Sequence, residues 1–105
     1  MIVAQFDIYR NPGRNSKDVP FLLSVQNDHI SSRTGATVVI PLRTNALAIE
    51  TLAPKVRVGD YGEFVMSTDE LFAIEASFLK APIGSLELGD RGKVRPALDK
   101  LFGDY

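Results

Sequence analysis

Apolar and other side chains alternate from residue 2 to residue 9, so that Phe6 and Ile8 fall on one face of an extended chain and Asp7 and Tyr9 on the other. A period of two predicts a β-strand with one buried face. Residues 10–18 collect Pro, Gly and Asn together with three cations, which predicts an exposed loop. Alternation returns at residues 21–26 and predicts a second strand, paired with the first in a hairpin.

The middle of the chain predicts three further strands. Residues 37–42 are β-branched and almost wholly apolar, as in a strand covered on both faces. Pro41 lacks the N–H that pairing needs, so the ladder should weaken there. Residues 44–53 are ambiguous and allow one helical turn. Apolar side chains on either side of a turn between Gly59 and Gly62 predict a second hairpin over residues 56–66.

The last third of the chain contains one local conflict and one helix. Residues 67–70 have the pattern of a helix capping box, whereas residues 72–78 alternate as in a strand. Asp90 is a candidate cap for a C-terminal helix, which Pro96 must either kink or delay. The buried stripe of that helix is Val94, Leu98, Leu101 and Phe102. Six short strands and one helix predict a mostly β fold, a small antiparallel sheet or barrel with the helix at its edge.

Composition narrows the class of protein. The 105 residues are 45% hydrophobic and 24% charged, which predicts one folded domain over residues 1–105 without a second independent core. A net charge of -1 argues against broad nucleic-acid binding. With no cysteine and one histidine, disulfides, thiol nucleophiles and most transition-metal sites are excluded, so no cofactor or metal is expected. No signal peptide or membrane span is evident, and the cytoplasm is the expected compartment.

Candidate catalytic chemistry is sparse. His29 lies between Asp28 and Arg33, and together they can supply an acid–base group and a cationic stabiliser, as a small ribonuclease needs. The alternative is a solvated loop histidine. Asp69 and Glu70 are adjacent, so their side chains point apart on a strand or helix, and we interpret them as turn residues.

Several strings along the chain, taken in order, resemble the CcdB family. Val39-Ile40-Pro41-Leu42 is the most specific of them, and Val58-Gly59-Asp60 follows at a matching separation. The resemblance runs from about residue 4 to the end of the chain. The order is completed by Gln5-Phe6, Tyr9, Val25-Gln26, Asp28, Met66, Thr68-Asp69, Leu86, Val94, Ala97, Leu98 and Leu101.

The resemblance implies a small SH3-like antiparallel barrel or sheet with a small second sheet and one C-terminal α-helix. It implies that residues 72–79 are a strand, although Ile74 stands where the family usually has proline. It also implies the toxin half of a bacterial plasmid-addiction pair. Such a toxin is not an enzyme: a homodimer binds DNA gyrase A and traps the gyrase–DNA cleavage complex, and a cognate antitoxin with a disordered C-terminal segment neutralises it.

In this family the last three residues, an aromatic, a glycine and an aliphatic, make the gyrase contact, and the ring stacks on a target arginine. Without gaps these positions fall on Gly103, Asp104 and Tyr105, whereas a shift of one residue places Phe102 and Gly103 on the aromatic–glycine pair. Alternatively, Phe102 belongs to the core and the tail frays. The supporting gyrase contacts of the family fall on His29, Ile30 and Asp99.

The antitoxin contact of the family maps onto the first hairpin loop, whose cations Arg10, Arg14 and Lys17 suit an acidic peptide unless they are simply a solvated face. Two rival functions stay open. One is an endoribonuclease toxin on the related barrel, with His29, Arg33 and Asp28 as its acid–base set. The other is a binding module that keeps the toxin fold but no longer poisons gyrase.

Overall fold

The computed structural model describes residues 3–103, which form one curled antiparallel sheet with helices packed against it. The strands are β1 (Asp7–Arg10), β2 (Phe21–Ser24), β3 (Ala36–Arg43), β4 (Lys55–Val58), β5 (Gly62–Met66), β6 (Phe72–Glu75) and β7 (Gly84–Ser85). The helices are α1 (Asp28–Thr34), α2 (Leu88–Arg91) and α3 (Val94–Phe102). The strand order is β4-β5-β3-β2-β1-β7, and β6 also pairs with β3. The mostly β fold with a C-terminal helix is therefore confirmed.

Strand β3 is the centre of the sheet, and it changes neighbour at Pro41. On one side it pairs with β2 over four residue pairs. On the other side its first half pairs with β6 and its last two residues pair with β5. Pro41 lies between these halves, so the predicted weakening of the ladder is confirmed. Hairpin β4–β5 joins the same sheet, because Leu42 and Arg43 of β3 pair with β5.

Both faces of the sheet are buried, which differs from the half-buried first strand that the alternation predicted. Ile8 and Tyr9 are adjacent in β1 and both fully buried, in two apolar clusters on opposite faces. The cluster that contains Ile8, together with Val94 and Ala97 of α3, is the inner cluster. The cluster that contains Tyr9 and Leu79 is the outer cluster. The strand starts at Asp7 rather than at residue 2, because Phe6 has a φ of 74°, which a strand residue does not adopt.

His29 lies in helix α1 and not in the solvated loop that was one of its two predicted settings. The Asn27 side chain caps it by accepting the N–H of His29 at 2.8 Å. Gly35 ends it in the left-handed conformation, with φ 74°, and donates its N–H to the Ser31 carbonyl. The seven residues of α1 carry one large apolar side chain, Ile30, so no apolar periodicity marked the helix.

Two further segments differ from the sequence prediction. Residues 67–70 contain a 3₁₀ turn in which Ser67 makes no side-chain capping bond, so the capping-box pattern was a false signal. Strand β6 ends at Glu75 and is followed by a 3₁₀ turn over Ala76–Phe78, so residues 76–79 are not strand. Residues 44–53 form a loop closed by a bridge between Ile49 and Ala53, without a helical turn.

The C-terminal helix starts late, as Pro96 required. Helix α3 begins at Val94, which places Pro96 in its first turn, where a missing N–H costs no intrahelical bond. Asp90 does not cap it. The Asp90 carboxylate instead accepts the backbone N–H of Arg57 in edge strand β4 at 2.8 Å and pairs with Lys93 at 2.9 Å. Among residues 3–103, no helix combines the length and apolar character needed to cross a bilayer.

Asp90 makes the attachment of the helices to β4 dependent on pH. Burial would raise the pKa of this carboxyl, but the Arg57 N–H and the Lys93 ammonium outweigh burial and lower the pKa below its ordinary 3.8. The Asp90 contribution to stability is therefore present above pH 3.8 and is lost as the pH falls through the lowered pKa of the folded state.

We expect Asp90→Asn to reduce the free energy of unfolding by about 1 to 2 kcal/mol at neutral pH, because the charge-assisted bonds are lost. Urea denaturation at neutral pH and well below pH 3.8 measures the effect, which should shrink at the lower pH. Exposed Asp60, replaced in the same way, serves as the control and should change little. An Asp90→Asn difference of equal size at both pH values would contradict this account.

Candidate functional site

The end of helix α3 presents an aromatic ring to solvent. Val94 and Ala97 are buried in the inner cluster, whereas Phe102 is 72% exposed, so the prediction that it belongs to the core is wrong. Gly103 has a φ of 69° and donates its N–H to the Asp99 carbonyl at 2.8 Å, which closes the helix. The predicted site residues Asp104 and Tyr105 lie outside the described residues.

The other residues expected to contact gyrase are also on the surface. Asp99 is exposed and lies three residues before Phe102, so both project from one face of α3. His29 and Ile30 are exposed neighbours on α1, with Ile30 46% exposed. Val25, shortly before α1, belongs to the same apolar cluster as Val94 and Ala97 of α3.

The basic hairpin loop is a preformed structure. The Asn11 amide donates to the Asn15 side-chain oxygen and to the Val19 carbonyl, each at 2.9 Å, and its oxygen accepts the Gly13 N–H at the same distance. Thr44 anchors the far end of the loop by donating its N–H to the Asp18 carbonyl at 3.0 Å. Only the turn-forming composition of the loop was visible in the sequence; this bonding around one asparagine was not.

The three cations of the loop region differ in their surroundings. Arg10, at the end of β1, donates to the Tyr61 hydroxyl at 2.9 Å, and its guanidinium lies 5.6 Å from the centre of that ring. Tyr61 in turn packs edge-on against Phe21. Arg14 and Lys17 are exposed on the loop. The Arg10 side chain is therefore held in place by a hydroxyl rather than by a carboxylate, so its positive charge is available to a ligand.

Two recesses open beside this loop, and Asn11, Pro12 and Phe78 line both of them. One, of about 380 Å³, is lined by Arg10, Asn11, Pro12, Phe78, Lys80, Ala81 and Ile83. The next, of about 330 Å³, is lined by Asn11, Pro12, Gly13, Asn15, Phe72, Ile74 and Phe78. The sequence does not reveal this surface, because alternation at residues 72–78 shows which side chains share a face but not whether anything covers that face.

The residues proposed for acid–base chemistry do not form an acid–base pair. The Asp28 carboxylate accepts the backbone N–H of Gln5. Within residues 3–103 the His29 ring makes no hydrogen bond, and Arg33 lies one turn further along α1, also exposed. Nor does the part of the chain that the structure describes bring three His, Asp or Glu side chains together as a metal site would require.

The clearly shifted pKa values all move away from neutrality. Burial and the nearby Asp7 carboxylate raise the pKa of the Tyr9 phenol to about 12. The hydrogen-bonded Glu70 carboxylate raises the pKa of Arg43. The pKa of Asp90 is lowered, as described above. None of these three groups therefore becomes a general acid or base near pH 7. The surface also offers an exposed ring, a set of cations and an apolar recess.

Comparison with known proteins assigns the chain to a family. The family model described as CcdB protein matches residues 5–103. The chain belongs to the CcdB family. Comparison with curated protein sequences gives no match.

The CcdB-family chain also shares its fold with solved endoribonuclease structures. An endoribonuclease from Mycobacterial species is 20% identical, with a TM-score of 0.75, over 98% of this chain and 93% of the other. A Mycobacterial endoribonuclease in complex with its cognate antitoxin is 19% identical, with a TM-score of 0.79, over 96% and 95%. A MazE–MazF structure from Deinococcus radiodurans is 11% identical, with a TM-score of 0.76, over 99% of both chains. At these identities the likeness establishes the fold and nothing about the reaction.

Proposed function

We propose that this CcdB-family protein is the toxin of a toxin–antitoxin pair, and that it binds DNA gyrase A and traps the gyrase–DNA cleavage complex without catalysing a reaction itself. Family membership over residues 5–103 supports the toxin assignment. The observation that carries the gyrase proposal is the exposed Phe102 ring at the end of α3, next to Gly103. This is the aromatic–glycine order of the family's contact, in the register shifted by one residue.

The proposed contact is the stacking of the Phe102 ring on the guanidinium of a target arginine. A Phe ring over an arginine contributes about 0.5 to 2 kcal/mol, with the larger values where water is excluded. Asp99, on the same face of α3, adds a carboxylate that can pair with the same cation. The supporting contacts of the family fall on Ile30 and His29 of α1, which are exposed and offer one apolar and one polar side chain. Asp104 and Tyr105 complete the proposed tail, in which Asp104 replaces the aliphatic residue of the family.

The proposed active species is a homodimer of a single-domain chain spanning residues 1–105. A twofold dimer presents two copies of the Phe102 surface, which suits a target that is itself symmetric. The cytoplasm is the compartment in which such a toxin would meet gyrase. We further propose a cognate antitoxin whose acidic, disordered segment contacts Arg10, Arg14 and Lys17.

Two alternatives follow from specific observations. An endoribonuclease is favoured by the names of the structural neighbours and by the one-turn spacing of His29 and Arg33, which places them on the same face of α1. It is disfavoured by the exposed, unbonded imidazole within the described residues. A module that binds its antitoxin but does not poison gyrase is favoured by the acidic Asp104 in the tail.

Phe102→Ala should weaken binding to gyrase A by about 5- to 30-fold, the equivalent of about 1 to 2 kcal/mol, and should reduce trapped double-strand breaks accordingly. Phe102→Trp should retain binding, since it keeps a ring face. The matched control is Leu88→Ala, at a position that is 80% exposed in α2. The free energy of unfolding should change by no more than about 0.5 kcal/mol in each variant. Equal trapping by the Phe102→Ala and Leu88→Ala variants would show that the ring is not the contact.

The purified protein should not cleave RNA, because within residues 3–103 the His29 ring has no hydrogen-bonded carboxylate to act with. Labelled single-stranded and duplex RNA at neutral pH provide the assay, and His29→Ala provides the control. Cleavage that disappears in a folded His29→Ala variant would establish the endoribonuclease alternative. Cleavage that persists in that variant would place the activity elsewhere on the chain and would equally contradict a purely binding toxin.

Replacing Arg14 and Lys17 with Gln should slow association with the cognate antitoxin by about tenfold at low salt and have less effect at high salt, because these charges steer an acidic segment. Replacing Arg57 and Arg95 with Gln makes the same change in net charge away from the loop and should leave the rate nearly unchanged. Stopped-flow fluorescence over a salt series measures both. Equal rates for the two double variants would exclude the loop as the steering surface.

A further inference from the structure

Two hydroxyl side chains occupy buried positions on a face of the sheet that is otherwise apolar around them. Ser24 and Thr37 are both fully buried. Because side chains alternate along a strand, Ser24 shares the face of Leu22 in β2. Thr37 in the same way shares the face of Val39 in β3. Leu22 and Val39 belong to the outer cluster, which an apolar residue at either hydroxyl position would extend. The two hydroxyls therefore contribute something other than apolar packing.

These hydroxyls connect the sheet to helix α1. Ser24 Oγ and Thr37 Oγ1 are hydrogen-bonded at 3.0 Å, and the Ser31 hydroxyl of α1 donates to Thr37 Oγ1 at 3.3 Å. The Gln26 amide donates to Ser31 Oγ at 3.1 Å and to the Ala36 carbonyl at 2.9 Å. The side chains of Ser24, Gln26, Ser31 and Thr37 are called the hydroxyl network below. Each of its three hydroxyls has a partner, and a buried polar network that is satisfied in this way makes a structure more rigid.

Helix α1 is attached to the sheet by these bonds rather than by an apolar face. Among its seven residues Ser31 is the one that is buried, and its large apolar side chain, Ile30, is 46% exposed. Apolar contacts have no preferred direction, so a helix can rotate on them. A hydrogen bond weakens steeply as it bends. The hydroxyl network therefore fixes the rotation of α1 about its own axis.

This rotation decides where the neighbours of Ser31 project. Successive residues of an α-helix are about 100° apart around its axis. With Ser31 held against Thr37, Ile30 is turned away from the sheet by one such step and His29 by two, and both are exposed. A rotation of α1 that broke the bond between Ser31 and Thr37 would change the direction of both side chains.

We propose that the hydroxyl network positions Ile30 and His29 for the target of the toxin. Ser24 and Thr37 are then positioning residues, which act through α1 and, being fully buried, do not touch the target themselves. The inference rests on the proposed function, in which Ile30 and His29 contact gyrase A. It adds that the affinity of this surface depends on two hydroxyls beneath the helix as well as on the exposed side chains.

The experiment is a double-mutant cycle between Thr37→Val and Ile30→Ala, with gyrase A as the partner and affinity measured by isothermal titration calorimetry. Thr37→Val keeps the branched shape of the side chain and removes its hydroxyl. We expect Ile30→Ala to weaken binding about tenfold in the unaltered chain but less than about twofold in the Thr37→Val chain, because Ile30 is no longer held in place. Thr37→Ser retains a hydroxyl and should restore the larger effect.

The matched control is Val19→Ala, which removes buried packing just before β2, at the end of that strand remote from α1. Val19 is not part of the hydroxyl network, so Ile30→Ala should keep its full effect in this background. Amide hydrogen exchange tests the cause. The Gly35 N–H, which bonds the Ser31 carbonyl at the end of α1, should exchange faster in Thr37→Val, whereas the amides of β1 should be unchanged. Urea denaturation verifies that each variant is folded.

Each outcome separates the hydroxyl network from the proposed function. An Ile30→Ala effect of equal size in the unaltered and Thr37→Val chains, zero included, would overturn the positioning role and leave the gyrase partnership standing. A reduced effect in Val19→Ala as well would overturn it too, because lost stability would then explain the cycle. Unchanged exchange of the Gly35 amide in Thr37→Val would show that the hydroxyl does not hold the helix. Gyrase A that fails to bind the unaltered chain would overturn the proposed function and this inference with it.

Discussion

Pro41 has no N–H, and this one missing donor decides how the sheet is built. In β3 the Pro41 carbonyl accepts the Ser67 N–H at 2.9 Å. A residue other than proline would also donate its own N–H to the neighbouring chain on that side. The chain opposite therefore leaves the ladder, and β3 passes from β6 to β5 at that point while β2 continues along its other side. Each face of the resulting sheet carries its own apolar cluster.

The two faces then offer different surfaces. Helix α3 covers the inner face and places its apolar residues there, which leaves Phe102 beyond the last buried position and free to face a partner. The outer face is only partly covered, because the segment that follows β6 buries Leu79 but leaves Phe78 exposed to solvent. The exposed Phe78 and Phe102 rings lose only the free energy that their burial would have contributed. The fold tolerates this, because neither ring belongs to either apolar cluster.

The sequence predicted the parts of this architecture that depend on local pattern. Residues 21–26, 37–42 and 56–66 are strands or hairpins close to where the apolar pattern predicted them, and the late helix start is one of the two outcomes that Pro96 allowed. Helix α1 could not be found by periodicity, because it is held by the caps Asn27 and Gly35 rather than by an apolar stripe. The recesses beside the hairpin loop were equally invisible in the sequence, because Pro12 and Phe78, which line both of them, are far apart along the chain. For Phe102, the helical spacing correctly predicted that the residue lies in a helix, but wrongly predicted that its side chain is buried.

The same fold is found in this CcdB-family chain and in endoribonucleases that share no more than 20% of its residues, so the fold alone does not choose between binding and catalysis. Local chemistry discriminates better. A ribonuclease needs a group that exchanges a proton near neutral pH beside a second group that positions the substrate. Here the shifted pKa values of Tyr9, Arg43 and Asp90 all move away from that range, and the Asp28 carboxylate is turned toward Gln5 rather than His29. The exposed ring of Phe102, by contrast, requires no proton transfer to act, because a ring that stacks on a cation needs only contact; this is the chemistry on which the proposed gyrase contact rests.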